Sequence, residues 1–504
     1  MAYQISLAEI HQLLLEHQLL KELIIDGQWH YLYPTNQAPK NFYRLSYDSR
    51  QVDEQTLFFC KGLNFKAEFL QQATDLGVSA YVAETYYENN PATAIVVTDI
   101  RQAMAILAQH FYQYPQDKLV KIAITGTKGK TTTAYFTHQL LSAALGNKVA
   151  LFSSEETILD GQTRQASSLS TPEALVLYQQ MAKAVENQVT HLVMEVSSQA
   201  YKTQRVYGLT FEVGIFLNIG HDHISPIEHP TFEDYLYCKR QLIMHSKQMI
   251  IHQEIPYFDL LAQTCRKAQV PLLTFGVKQG DYRITALSQH EFQLKRQQTT
   301  TTESFELALL GTFNFDNATA ALLAARSVCA LDTLTAQNAL KQTVVPGRMN
   351  LFHLPNGAVV LVDYAHNYLS LQAVSQCARQ LRPTGQLIIV TGSAGGKALS
   401  RRPDIGKALT EFADVAILTA DDPNFEAVSE IIAEIKAVIP KEQIVYEIED
   451  RHAAITKALT LANGDDVVIL AGKGNEQTMK IKGQAIPYQS DIQFVQQWIQ
   501  KAEI

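Results

Sequence analysis

Short apolar runs separated by polar, helix-compatible stretches recur along the whole chain. At the start, residues 5–25 set Glu9, His11, Glu16, His17, Lys21 and Glu22 among leucines and isoleucines, which predicts an amphipathic helix rather than a cleaved leader. Strand-like runs at residues 57–60, 80–83 and 94–98 then alternate with helical segments at 67–76 and 101–112, and Tyr114-Pro115-Gln116 reads as a linker. A second segment opens with the apolar run 121–125. Its later runs, 191–196 and 213–219, are near-continuously apolar, as expected of parallel strands covered on both faces. A β-rich stretch (271–310), with the threonine run 299–302 as a loop, leads to a helix at 317–329 and a hinge at Val345-Pro346-Gly347-Arg348. In the last segment four apolar strands (359–362, 387–390, 415–418 and 467–470) alternate with helices, a doubly wound pattern. The prediction is an α/β protein of three domains: an N-terminal α/β domain at 1–116, a central P-loop mononucleotide-binding domain at 117–345, and a C-terminal doubly wound, Rossmann-like domain at 346–504. A chain of 504 residues is too long for one hydrophobic core, which agrees.

Composition narrows the function classes. The net charge is −8 and no basic stripe is present, which argues against a nucleic-acid partner. No apolar run reaches the roughly 18 residues of a membrane span. The cysteines Cys60, Cys238, Cys265, Cys329 and Cys377 are scattered without paired spacing, so neither a disulfide framework nor a zinc site is implied, and a reducing cytoplasm fits.

The chemistry begins where the run 121–125 ends. Gly126-Thr127-Lys128-Gly129-Lys130-Thr131-Thr132 is a glycine-bearing turn between a strand and a helix. Backbone N–H groups there can cradle phosphate, Lys130 can reach the β- and γ-phosphates, and the Thr131 hydroxyl can hold Mg²⁺. The strict P-loop would have glycine where Ile124 stands. Glu195 ends the run 191–196 beside this loop, where a nucleotide enzyme keeps a magnesium ligand; a solvent-facing strand end is the plainer reading. His221-Asp222-His223 follows Asn218 and suits Mg²⁺ through one imidazole better than zinc, since no further ligand set completes it. Thr231 with Glu233-Asp234 reads as a helix start, and composition alone makes Lys239 a solvated helix lysine. In the last segment each strand ends in polar or glycine residues: Asp363-Tyr364-Ala365-His366, Gly392-Ser393-Ala394-Gly395-Gly396, Asp421-Asp422-Pro423-Asn424 and Gly472-Lys473-Gly474-Asn475-Glu476. In open α/β sheets ligands bind outside these carboxyl ends.

Taken in order, these motifs resemble the Mur ligases of bacterial peptidoglycan synthesis. The loop 126–132 looks like that family's ATP loop, non-standard glycine included. Glu195-Val196-Ser197-Ser198, Asn218 with Asp222-His223, Gly311-x-Phe313-Asn314-x-x-Asn317-Ala318, Pro346-Gly347-Arg348, Asp363-Tyr364-Ala365-His366 and Gly472-Lys473-Gly474 match its other motifs. Tyr235-x-x-x-Lys239 matches its Tyr-x-x-Ala-Lys, with Cys238 in place of Ala. Gln199 and Asn475 stand where many members have His. Leu45-Ser46-Tyr47-Asp48-Ser49-Arg50 and Ser170-Thr171-Pro172-Glu173 resemble the branch that adds the third residue of the stem peptide.

The resemblance implies an ATP-dependent acid–amino-acid ligase acting on UDP-N-acetylmuramoyl-L-alanyl-D-glutamate through an acyl phosphate, with a UDP-binding N-terminal domain and closure of the third domain before chemistry. It implies two Mg²⁺, one on Thr131 and Glu195, the other on His223 and a carbamylated Lys239; Lys130, Glu195, His223 and Lys239 form the catalytic set. Asn317, Arg348 and Asp363 would meet adenine, phosphate and ribose. Ser49, Ser170, Thr171, Ser197 and Arg205 would contact the UDP-muramoyl dipeptide. Arg402, Asp421, Asp422, Pro423, Asn424, Gly472 and Glu476 would hold the amino acid. Members that add meso-diaminopimelate carry Asp-Asn-Pro-Arg where this chain has Asp421-Asp422-Pro423-Asn424. Without that Arg, and with an extra acid, L-lysine is the expected substrate and ornithine the next. The expected enzyme is a cytoplasmic monomer with no nucleic-acid or membrane partner. A folylpolyglutamate synthase-like ligase lacks the N-terminal segment seen here. A switch or motor NTPase would need no set of ligand-like strand ends, and a non-catalytic binding protein would not keep Lys130, Thr131, Glu195, His223 and Lys239 together.

Overall fold

The computed structural model describes residues 3–34, 39–62, 64–220, 224–225, 228–396, 399 and 401–502. These form two compact units: one holds the described residues up to 284 with 295–301 and 316–339, the other 285–294, 302–315 and those from 340 on.

Among the described residues the first unit contains a two-stranded ladder, Ile5–Ser6 with Asn41–Phe42, and two larger sheets. The earlier has six strands in the order Gln28–His30, Leu20–Ile25, Thr93–Val97, Ala80–Ala83, Thr56–Phe59 and Arg44–Ser46. The single helix expected over 5–25 is instead a helix, Leu7–Glu16, followed by the strand Leu20–Ile25. Ser6 and Glu9 start the helix with a reciprocal capping box. Gln18 then adopts φ 57, which no α-helix can continue, and Leu23, Ile24 and Ile25 are buried in the sheet. The paired β-branched residues favour that pleated setting.

In the second sheet the strand Val120–Thr125 is central. His191–Glu195 and Val213–Phe216 flank it in parallel, and Val149–Phe152 and Met249–His252 lie beyond them. Connections therefore leave to both sides of Val120–Thr125, the topological switch at which open α/β sheets bind ligands. Register puts Glu195 beside Ile124 and Phe216 beside Thr125, so both neighbouring strands end level with the phosphate loop. The β-rich stretch holds the strands Leu272–Gly276, Tyr282–Ala286, Glu291–Arg296 and Thr302–Glu306, of which residues 285–294 and 302–306 count with the second unit, and the helix expected after it is Phe313–Val328. Residues of both sheets and their helices, among them Leu57, Phe111, Leu177, Met194 and Leu242, share one apolar cluster.

The second unit has its own six-stranded sheet, in the order Asn350–His353, Val359–Asp363, Val467–Ala471, Leu387–Thr391, Val415–Leu418 and Ile444–Glu447. Only the first strand is antiparallel. The predicted doubly wound pattern is thus present, and parallel pairing brings the four polar strand endings to one edge. Beneath that edge Arg451 and Asp491, both 0% exposed, pair at 2.6 Å, and the guanidinium also donates to the Ala420 and Ala471 carbonyls. A buried charge pair of this kind holds only because its remaining donors are satisfied. Here they fasten two strand ends to one another.

Candidate active site

Gly129 ends the phosphate loop at φ 84, and a Cβ there would lie 2.4 Å from the Asn317 side-chain oxygen. Backbone conformation and space both require glycine. The Asn218 side chain accepts from the Lys128 N–H at 2.9 Å and donates to the Lys128 carbonyl at 3.1 Å, clamping the loop to the end of the neighbouring strand. Lys130 opens the helix Lys130–Leu145, and its Nζ donates to the Gly126 carbonyl at 3.0 Å. Thr131 and Thr132 are buried in the first turn. Asn317, expected at adenine, accepts from the Thr133 hydroxyl at 3.3 Å.

Glu195 is 0% exposed; its carboxylate accepts the Ser154 N–H at 2.8 Å and the Ser154 hydroxyl at 3.0 Å. Ser154 in turn shares a 2.6 Å bond with Ser170, and the Thr171 hydroxyl donates to the Glu195 carbonyl at 2.9 Å. Ser197 caps the short helix Ser198–Lys202. Arg205 donates to the Thr171 carbonyl at 3.0 Å and pairs with Glu173 at 2.9 Å; Lys61 pairs with the same carboxylate and sits 4.5 Å from the Tyr47 ring. Four of the five residues expected at the peptide substrate thus belong to one network with Glu195: Thr171 directly, Ser170 through Ser154, and Ser197 and Arg205 through Thr171. The fifth, Ser49, is buried elsewhere in the first unit and donates to Gln72. A cavity of about 730 Å³ opens beside residues 45–48. Lys61 had no sequence signal. Burial lowers its pKa more than Glu173 restores it.

Lys239 is not a solvated helix lysine. On the helix Phe232–Met244, capped by Thr231 as expected, it is 2% exposed, and its Nζ donates to the Gly126 carbonyl at 2.7 Å. The Tyr235 ring lies 4.8 Å from that nitrogen, and the Tyr235 hydroxyl is 3.0 Å from the Thr127 hydroxyl. One helix therefore brings two side chains onto the phosphate loop, as i,i+4 spacing allows. His221, Asp222 and His223 lie outside the described residues. A buried carboxylate at Glu195 and the Thr131 hydroxyl suit a hard cation, whereas the Lys239 nitrogen as it stands does not. Oxygen donors dominate, and Lys239 would add two more oxygens as a carbamate.

The second unit redistributes the expected amino-acid contacts. Arg402 is 0% exposed and pairs with Glu426 at 2.6 Å and Glu434 at 2.9 Å, so its charge is already answered by two acids. Lys473, also 0% exposed, pairs with Asp422 at 2.8 Å and with Glu476. Asn424 adopts φ 56; its side-chain oxygen accepts the Gly483 N–H at 2.9 Å, fixing the turn of the hairpin Thr478–Ile481 and Gln484–Pro487. Pro423 is buried, and the preceding carbonyl, of Asp422, accepts the Gly395 N–H. Gly472 has φ 112, and a Cβ there would lie 2.3 Å from the Asp421 carboxylate. Arg348 stacks 4.7 Å from the Tyr364 ring, and Asp363 accepts the Met349 N–H at 2.9 Å.

Burial raises the Asp421 carboxyl to about 6, with Asp422 and Glu476 adding to the shift and Arg451 and Lys473 opposing it. A carboxyl raised on folding contributes stability below its unfolded pKa, near 4, and loses it as pH climbs through about 6. Asp421→Asn should therefore be more stable than the parent chain by roughly 2–3 kcal/mol at pH 8 and nearly equal to it at pH 4. Urea titrations at the two pH values check this; an equal effect at both would refute it.

With this geometry in place, comparison with known proteins is direct. The Mur ligase middle domain profile matches residues 124–325, and that of the Mur ligase glutamate ligase domain matches residues 347–474. A protein of Enterococcus faecalis named UDP-N-acetylmuramoyl-L-alanyl-D-glutamate–L-lysine ligase is 47% identical, over 99% of each chain. One of the same name from Streptococcus pyogenes is 42% identical over 98% of this chain and all of its own. Among solved structures, a UDP-N-acetylmuramoyl-L-alanyl-D-glutamate–2,6-diaminopimelate ligase aligns with TM-score 0.65 at 27% identity, over 94% of this chain and 98% of its own. A MurF ligase from Thermotoga maritima, solved with ADP, shares the fold at TM-score 0.59 and 19% identity, over 85% and 93%. The chain belongs to the Mur ligase family, a family of ATP-dependent amide ligases.

Proposed function

We propose that this chain is the ligase that joins L-lysine to UDP-N-acetylmuramoyl-L-alanyl-D-glutamate, converting ATP to ADP and phosphate. The observation that carries the reading is the 47% identity, along the whole length of both chains, to a ligase of that name. The cluster of Lys130, Thr131, Glu195 and Lys239 around one loop supports it with matching chemistry. We assign residues 1–116 to UDP binding, 117–345 to ATP and 346–504 to the amino acid. We read the enzyme as a cytoplasmic monomer.

A carboxylate is a poor electrophile, so it needs activation. The glutamyl carboxylate of the substrate attacks the γ-phosphorus of ATP, ADP leaves, and an acyl phosphate forms. The amine of lysine then attacks the acyl carbon; the acyl C–O bond breaks, phosphate leaves with that oxygen and the bonding electron pair, and the amine loses a proton. The chain's contribution is to position two anions and offset their repulsion. The loop N–H groups and Lys130 hold the phosphates. Ser170, Thr171, Ser197 and Arg205 orient the peptide acid beside Glu195. Thr131, Glu195, His223 and carbamylated Lys239 would hold two Mg²⁺, which supply charge neutralisation when bound. Once deprotonated, the buried Lys239 amine can take up CO₂ with loss of a further proton, so that a side chain which as a cation would repel metal becomes an anion that binds it.

Omission assays test the reading. ADP release should require UDP-N-acetylmuramoyl-L-alanyl-D-glutamate, with tripeptide forming only when lysine is also present. Steady ADP release from ATP alone would favour a simple NTPase instead.

A further inference from the structure

Near Lys239, Asp234 and Cys238 of the same helix converge with His229, which precedes it. The His229 Nδ1, an Asp234 carboxylate oxygen and the Cys238 Sγ lie within 4.8 Å of one another, and among the described residues this is the one such group of three. Asp234 and Cys238 are four apart on the helix Phe232–Met244 and so share a face; His229 enters from just before the N-cap at Thr231. The His229 Nδ1 is 2.6 Å from Asp234, and its other ring nitrogen is 2.9 Å from the Ser198 hydroxyl. His229 and Cys238 are buried, whereas Asp234 and its partner Lys202 are each 31% exposed, which gives an ion a way in.

We propose that His229, Asp234 and Cys238 form a site for a soft divalent cation such as Zn²⁺, separate from the magnesium ligands, through which that cation inhibits the enzyme. A tetrahedral ion with bonds of about 2.0–2.3 Å needs donors about 3.3–3.8 Å apart, so side-chain adjustments of about an ångström complete the site. Imidazole, carboxylate and thiolate form a donor set that selects zinc or cobalt over magnesium. The Ser198 hydroxyl is placed to accept from the far nitrogen of the imidazole, as outer partners of metal-bound histidines do. Asp234 can bridge the ion and Lys202, and water fills the fourth position. Cys238 takes the place of the alanine in the motif this helix resembles, so the site is a property of this chain rather than of the reaction. The ion would act through neighbours: Cys238 precedes Lys239 in the chain, and His229 is bonded to Ser198, which follows Ser197.

Cobalt titration of the full chain tests the site. One equivalent of Co²⁺ should give a thiolate-to-cobalt charge-transfer band with tetrahedral d–d bands. Cys238→Ala should abolish the former, and Asp234→Asn should weaken binding at least about tenfold. No thiolate band in the parent chain, or a band that persists in Cys238→Ala, overturns the proposal. The inhibition arm rests on the ligase reading above. Zn²⁺ should inhibit tripeptide formation reversibly with EDTA, while Cys238→Ala keeps its basal rate and tolerates at least about tenfold more Zn²⁺. Equal inhibition of both proteins would overturn the inhibitory role. A chain that forms no tripeptide at all would defeat the ligase reading while leaving the cobalt spectrum to decide the site.

Discussion

Replacing Lys239 with alanine is expected to lower tripeptide formation by about 10²–10³-fold, and millimolar formate or acetate should restore part of it. The basis is the position of the side chain. Its nitrogen is buried against the Gly126 carbonyl, within the loop that would hold the triphosphate. As an ammonium, it would set a second positive charge beside Lys130 and repel a cation. As a carbamate it carries oxygens of the kind magnesium takes. A short carboxylic acid can occupy the space opened by alanine and present the same oxygens. Lys239→Arg provides the contrast, because it keeps the charge but cannot take up CO₂; it should be as inactive as alanine and not rescuable. Thermal unfolding of the three proteins separates loss of fold from loss of chemistry. A Lys239→Ala enzyme that works at the parent rate would end the carbamate argument.

Much of this was written in local sequence. Gly126, Gly129 and Lys130 follow an apolar strand directly, and the parallel strands of both units are near-continuous apolar runs, so the loop and the polar strand ends fall where the pattern puts them. What sequence did not disclose depends on partners brought together by the sheet. Arg402 meets Glu426 and Glu434, and Lys473 meets Asp422, because strand order and helix packing join segments tens of residues apart. The same holds for Lys61 and Glu173, 112 residues apart. The helix misjudged at 5–25 failed for a local reason. Its polar spacing is helical throughout, and only the left-handed turn at Gln18 and the burial of Ile24 and Ile25 divide it.

The pairing of Lys473 changes the argument about which amino acid is added, and with it the second large prediction. Asp422 and Glu476 are not idle acids awaiting an ammonium; both are already committed to a buried lysine of the chain. Asp421 remains, its carboxyl raised to about 6 by burial and held close to Gly472. A substrate ammonium beside it would lower that value and answer the buried charge. The second carboxylate of meso-diaminopimelate would instead meet the Asp421 carboxyl, with Lys473 already paired to Asp422 and Glu476 and Arg451 to Asp491, and a desolvated, unpaired carboxylate is costly. In an amino-acid panel with UDP-N-acetylmuramoyl-L-alanyl-D-glutamate, L-lysine should therefore exceed meso-diaminopimelate by at least about 10³-fold in kcat/KM, with ornithine between them. Asn424→Arg should not reverse the order. Asn424 stands at φ 56, and its side chain fixes the hairpin turn through the Gly483 N–H, so arginine there would lose that bond without inheriting a diaminopimelate pocket. Its expected effect is weaker use of lysine with little gain for diaminopimelate. If the parent enzyme incorporates diaminopimelate better than lysine, the charge argument at Asp421 is wrong, whatever the variant does.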